Sequence, residues 1–270
     1  MDASPSLIDI GINLTHESFS NDSEAVLERA RRAGVSHLVI TGSSLASSPA
    51  AATLAATAPS RLSSTAGVHP HCASELTAAG LESLRALLCL PHVVAAGECG
   101  LDYYRDLSPR VTQRHAFEAQ LGLAIDSAKP LFLHERDAHL DFVDMIKAAG
   151  RDRPRAVAHC FTGDRAALER YLELDLYIGI TGWICDERRG LHLRELVPLI
   201  PANRLMIETD APYLLPRTLK LPRAPRRNEP MYLPEVCRVV SEARGETMAL
   251  TAAHTSATAV EFFGLTSRTK

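Results

Sequence analysis

Eight short, β-branched apolar runs recur along the chain, and a helical pattern follows almost every one of them. That alternation constrains the fold more than any other feature. The runs are Leu7–Ile10, His37–Thr41, Ser63–Val68, Val93–Gly97, Leu131–His134, Ala156–His159, Leu176–Ile180 and Leu205–Glu208. Helical periodicity fills the gaps at Ser23–Ala33, Leu45–Ala58, Leu81–Leu88, Thr112–Ser127, Ala138–Ala149 and Arg165–Leu174. A short seventh crossover spans Arg188–Leu199, and Pro234–Arg244 with Met248–Phe263 closes the chain. Asp22 or Ser23 suits the cap of the first helix, and Gly34 suits its stop after Arg31 and Arg32. About eight strand–helix units in 270 residues, with no Gly- or Ser-rich linker, predict an α/β fold in one domain over residues 1–270. That domain is a (β/α)8 TIM barrel, a fold of about 250 residues. A doubly wound open sheet is the competing architecture.

Composition narrows the function classes. With 46% hydrophobic residues the chain can bury a core, which excludes a disordered polymer. No apolar run approaches the roughly 18 residues of a membrane helix. Met1–Pro5 has neither the basic nor the apolar region of a secretory signal, so a cytoplasmic monomer with no membrane partner is expected. A formal charge of −3 argues against a generally basic nucleic-acid coat, though not against a local basic groove. Lysine occurs only at Lys129, Lys147, Lys220 and Lys270, so nearly all positive charge is arginine, which suits bidentate binding of phosphate or carboxylate. The six cysteines form no Cys-x-x-Cys pair, which predicts reduced thiols rather than a disulfide framework or zinc ribbon.

In a parallel barrel the working groups project from the C-terminal ends of the strands. Here those ends carry Asp9 to Asn13, His69-Pro70-His71, Glu98 to Asp102, His134 to Asp137, His159-Cys160 and Glu208-Thr209-Asp210. Each has a plainer reading alone: His134 or His159 as a core histidine, Glu98 as a cap or an arginine partner, Asp210 as a turn initiator. Together, Glu98, His134, His159 and Asp210 on four separate strands predict a metal site, because ionisable groups at strand ends are costly to bury unless paired or ligating. Two imidazoles and two carboxylates suit Zn²⁺, Mn²⁺ or Mg²⁺. A cation in such a set lowers the pKa of water and polarises a phosphoryl or carbonyl oxygen. Asp210 is placed to orient that water or take its proton, so Asp210 and Glu98 are the expected catalytic carboxylates of a metal-assisted hydrolysis.

These residues sit in motifs that resemble the TatD family of metal-dependent deoxyribonucleases. The motifs are Ile8–Thr15, Thr65–His71, Gly97–Asp102, His159–Gly163, Tyr177–Trp183, Ile207–Leu214 and Arg227–Pro230. They run in the family's order through most of the chain. The resemblance implies a TIM barrel of the metallo-hydrolase type, a divalent-metal requirement and action on nucleic acid. It further implies removal of nucleotides from a single-stranded 3′ end of DNA or RNA, in DNA repair or nucleic-acid degradation. By position, Glu98, His134, His159 and Asp210 match the family's metal-site residues. One departure concerns the first strand, where many members carry H-x-H and this chain has Gly11 and Asn13. A second metal would then be held mainly by water, which favours Mg²⁺ over a tight zinc pair.

Substrate contacts are expected from His69 and His71, whose rings can donate to a phosphate oxygen, although exposed loop histidines would read the same way. Pro216–Arg227 carries Arg217, Lys220, Arg223, Arg226 and Arg227 without an acid. Following the eighth strand, it is expected to track phosphates, with Arg226 and Arg227 as the named contacts. Trp183, the only tryptophan, is as consistent with local packing as with stacking on a base. The competing functions are an amidohydrolase or an aminoacyl-tRNA deacylase, and, outside enzymes, a metal-stabilised nucleic-acid-binding module. Against a small-amide hydrolase, the fourth strand ends in Glu98 rather than a lysine able to bridge two metals as a carbamate.

Overall fold

The apolar runs become eight parallel strands that pair in sequence order, β1 to β8, in one sheet. The strands are β1 Leu7–Ile12, β2 Val35–Ile40, β3 Leu62–Ala66, β4 Val93–Asp102, β5 Leu131–Arg136, β6 Ala156–Ala158, β7 Tyr177–Ile180 and β8 Leu205–Ile207. The helices are α1 Ser23–Arg32, α2 Ser47–Ala56, α3 Ala78–Leu88, α4 Arg110–Ser127, α5 His139–Ala148, α6 Arg165–Glu173, α7 Leu191–Leu196, α8 Leu233–Arg244 and α9 Met248–Phe263. A parallel bridge joins Ile12, the last residue of β1, to Ala211 after β8. This strand order, with a helix after each strand, is the expected (β/α)8 barrel and not the doubly wound sheet. The computed structural model describes residues 6–150, 152–220 and 227–265. No helix among them is long and apolar enough to cross a membrane.

Contacts divide the chain into two units, one of Met1–Val39, Cys160–Asp164 and Ile178–Lys270, the other of Ile40–His159 and Arg165–Tyr177. In the first, β7 and β8 pair through Ile178 with Leu205 and Ile180 with Ile207, and α8 packs beside α9. Ile10, Ile12, Ile178, Leu205 and Phe262 are fully buried there. Asp22 stands at the N-cap of α1, but its carboxylate pairs with Arg29 and Arg227 instead of capping backbone amides. Gly34, at φ 87°, follows the helix as expected.

The second unit holds β3 to β6 and helices α2 to α6. Phe117, Phe132, Phe142 and Tyr171 form its largest buried side chains, with Phe117 and Phe142 stacked at 5.6 Å. Here β4 is longer than the apolar run suggests, continuing from Gly97 to Asp102. Its pairing with β5 slips between Gly97 and Cys99 and then resumes, so Glu98 and Asp102 belong to the strand and not to a loop.

Candidate metal and active site

Glu98 projects from the slipped segment of β4, and its flanking glycines have a steric cause. A Cβ on Gly97 would lie 2.1 Å from the Phe132 carbonyl oxygen, and one on Gly100 would lie 1.9 Å from that of His134. Both glycines have positive φ, 129° and 146°. Only glycine lets β4 approach β5 this closely on both sides of Glu98.

One carboxylate oxygen gathers three imidazoles. Glu98 Oε1 lies 2.9 Å from His159 Nε2, 3.3 Å from His134 Nδ1 and 3.4 Å from His69 Nε2. The atoms offered by His69, Glu98 and His134 all lie within 4.8 Å of one another. The His159 ring stacks on Phe132, centroids 4.7 Å apart, which fixes its plane.

The second ring nitrogens distinguish the histidines. His69 Nδ1 accepts the backbone N–H of His71 at 3.1 Å, so the neutral ring carries its proton on Nε2, toward Glu98. His134 instead turns Nε2 to Asp102 Oδ2 at 3.2 Å, which leaves Nδ1 as the nitrogen facing Glu98. A carboxylate behind the ring is the arrangement that orients metal-binding histidines. His69 is thus built as a donor and His134 as a ligand. Asp102 also meets His71 Nε2 at 2.9 Å and accepts the Arg105 N–H at 2.7 Å.

Two glutamines seven residues apart on α4 hold the backbone that carries these groups. Gln113 accepts the Asp102 N–H at 2.9 Å and donates to the Asp102 carbonyl at 3.1 Å. Gln120 does the same to Val68, at 2.7 and 3.0 Å, just before His69. Both amides are buried and satisfied, which makes each a rigid clamp.

The charges follow from these contacts. Burial would push the Glu98 carboxyl up, but the surrounding imidazoles of His69, His159 and His134 hold it well below the usual carboxylate range. Asp102 is held low against burial by His134 and His71. Burial drives His69 down to about 3, so its ring is neutral near pH 7. His134 goes up despite burial, through its bonds to Asp102 and Glu98. A cation would displace the proton that His134 shares with Glu98, as metal ions do at such sites. One carboxylate and two imidazoles, one of them carboxylate-backed, fit a borderline divalent cation.

In the first unit, Asp210 follows β8 at φ 52°, a region that aspartate tolerates better than most residues. Its N–H donates to the Gly11 carbonyl at 2.8 Å, and Asn13 Nδ2 donates to its Oδ1 at 2.9 Å. Asp9 is fully buried and accepts from Thr209 Oγ1 at 2.5 Å and Thr209 N at 2.9 Å. Burial outweighs those bonds and raises its carboxyl to about 7. Glu208 accepts the Cys160 N–H at 2.5 Å, while Asn228 donates to the carbonyls of Thr209 and Tyr213.

Of the residues read from sequence, His69, His71, Glu98, His134 and His159 meet in the second unit, whereas Asp210 stands with Asn13 in the first. Arg227 pairs with Asp22 at 2.5 Å and Glu229 at 3.1 Å, donates to the Ser18 carbonyl and covers the Phe19 ring. Arg217 pairs with Glu187 at 3.0 Å. Arg223 and Arg226 lie outside the described residues. Trp183 packs locally, its indole N–H on the Arg189 carbonyl and the Arg189 guanidinium over its ring. None of the six cysteines is in a disulfide, as the sequence predicts. Sequence reasoning named Asp102 and Glu208 only as members of strand-end motifs, with no role, and missed Gln113 and Gln120. The readable signal for the glutamines was their seven-residue spacing on the apolar face of one helix.

Residues 8–264 match the model of the family described as TatD related DNase. The 3′-5′ ssDNA/RNA exonuclease TatD of Citrobacter rodentium is 52% identical over 260 residues, covering 96% of this chain and 98% of that protein. A TatD-family hydrolase from Entamoeba histolytica superposes with a TM-score of 0.88 at 28% identity, covering 98% of this chain and all of that one. A TatD homolog from Escherichia coli K12 gives the same TM-score and identity, over 96% of this chain and 98% of that one.

Proposed function

Because the chain belongs to the family of TatD-related DNases, we propose that it is a divalent-metal-dependent nuclease acting from the 3′ end of single-stranded DNA or RNA. The observation that carries this reading is the single Glu98 oxygen within 3.4 Å of three imidazole nitrogens, one ring backed by Asp102. Glu98, His134 and His159 would hold the cation. Asp210 joins them on the strength of its motif. When bound, the cation supplies Lewis acidity, drawing charge from a phosphate oxygen and making water easier to deprotonate.

The chain's own residues do the rest. Asp210, steadied by the Asn13 amide, accepts the proton of the attacking water. His69, neutral with its proton on Nε2, donates to a phosphate oxygen, and the partly exposed His71 ring lies beside it, centroids 4.2 Å apart. Arg227 reaches phosphate only by giving up Asp22 and Glu229, and Arg226 extends the same basic segment. Mg²⁺ is the proposed metal, because Gly11 offers no ligand and the Asn13 nitrogen is committed to Asp210. Residues 1–270 work as one domain, in the cytoplasm, in DNA repair or nucleic-acid degradation.

The test is a 5′-labelled single-stranded oligonucleotide incubated with metal-stripped protein plus Mg²⁺. A one-nucleotide ladder that shrinks from the 3′ end and vanishes in Glu98→Ala is the expected result. An intact oligonucleotide in Mg²⁺, Mn²⁺ and Zn²⁺ alike would overturn the reading and turn attention to acylated tRNA or small amides.

A further inference from the structure

Two adjacent tyrosines follow Asp102 at the end of β4, and the structure treats them oppositely. Tyr103 is anchored: its hydroxyl donates to Asp141 at 2.6 Å, its N–H donates to the Arg136 carbonyl, and Arg110 covers its ring. Tyr104 is presented, with 58% of its surface exposed and the Arg136 guanidinium 3.9 Å from its ring centroid. Arg136 is the register partner of Asp102 on β5 and lies two residues beyond His134. Tyr104 lies two residues beyond Asp102, a chain span of at most about 7 Å. The aromatic–cation pair therefore stands at the ends of the two strands that carry Glu98, Asp102 and His134. Exposed apolar surface continues along this stretch at Leu107 and Val111.

Exposed aromatic rings with arginine beside them are elements that single-strand-binding proteins use to stack bases, and this pair stands near the proposed cutting site. Trp183 is tied into its own loop by an indole N–H bonded to the Arg189 carbonyl, whereas among the described residues no such bond holds the Tyr104 ring. We propose that Tyr104, with Arg136 behind it, is a stacking platform for the nucleobase adjoining the bond that is cut. The proposal rests on the nuclease reading. Arg136 takes one face of the ring and the base the other. The ring's π-face accepts any base, so the platform confers preference for unpaired over paired ends and little sequence choice.

The experiment steps a single abasic nucleotide inward from the 3′ end of one oligonucleotide and measures KM and kcat in Mg²⁺ for wild type, Tyr104→Ala, Tyr104→Leu and Tyr104→Phe. Wild type should lose about tenfold in KM when one particular base near the cut end is removed, the scale of one base–aromatic stack. Tyr104→Ala and Tyr104→Leu should show that loss on the intact oligonucleotide and no further loss from the abasic nucleotide, with kcat falling less than KM rises. Tyr104→Phe should restore the wild-type profile. Identical abasic profiles in wild type and Tyr104→Ala, with cutting intact, would overturn the platform alone. Failure of wild type to cut any oligonucleotide in Mg²⁺, Mn²⁺ or Zn²⁺ would instead overturn the nuclease reading, and the platform with it.

Discussion

Buried carboxylates stand on strands in both units, yet they are driven in opposite directions. In the second unit Glu98 and Asp102 face imidazoles, and both are held below the ordinary carboxylate range. In the first unit Asp9 faces a threonine and backbone amides, and burial raises it to about 7. Burial is similar in all three: Asp9 is fully buried, Asp102 is 1% exposed and Glu98 is 7% exposed. The difference lies in the partners. Neutral donors offset part of the desolvation of a carboxylate, whereas histidines able to carry charge reverse it. A cluster of the second kind is ready to exchange protons for a cation, and one of the first kind stores a proton.

The most severe break in this contrast is Glu98→Ala. It removes the anion the three histidines share, so calorimetric titration with Mg²⁺ or Mn²⁺ should show no binding at the concentrations that saturate wild type, alongside the loss of cutting. Asp9→Asn comes next, and its effect is on stability. The folded chain keeps the Asp9 proton up to about pH 7, and the unfolded chain keeps it only to about pH 4. Stability from this group is therefore complete below about pH 4, is lost as pH rises to about 7, and stays level above it. Denaturant titrations should show wild type weakening across that window relative to Asp9→Asn, by up to about 4 kcal/mol. Parallel pH profiles for the two proteins would refute the assignment of the buried proton to Asp9.

Asp102→Asn keeps the shape behind His134 but removes the charge, and metal affinity should fall by about 10- to 100-fold. An unchanged affinity would mean that the His134 ring is oriented without it. Asn13→Ala is the mildest of the four. It takes one amide donor from Asp210 and should lower kcat by about tenfold, as loss of a hydrogen bond to a charged group does, with cation binding weakened less than in Asp102→Asn. Cation binding weakened in that variant as much as in Asp102→Asn would erase the distinction drawn between the two regions.

Much of this was legible in the chain itself. The alternation of apolar runs with helical periods foretold eight strands in sequence order, because side-chain periodicity is a property of each segment alone. Glu98, His134 and His159 stood out because an ionisable residue ending an apolar strand is rare enough to notice. The extension of β4 to Asp102 was not legible, since it depends on the slipped pairing with β5 and on how closely Gly97 and Gly100 let the two backbones approach. Arg227 read as a free cation in a basic segment, but Asp22 and Glu229 meet it in the fold.

By itself, then, the sequence determined which residue types end each strand, and with them the architecture and the donor set. Only the tertiary structure decided what each donor does. His69 and His134 are the same side chain on segments that flank β4, one just after β3 and the other on β5. One became a hydrogen-bond donor because its Nδ1 meets the His71 amide, the other a ligand because its Nε2 meets Asp102. Proton placement on an imidazole is set by what lies within about 3 Å of each nitrogen. For His69 that neighbour is the amide two residues on, whereas for His134 it comes from another strand, 32 residues away along the chain.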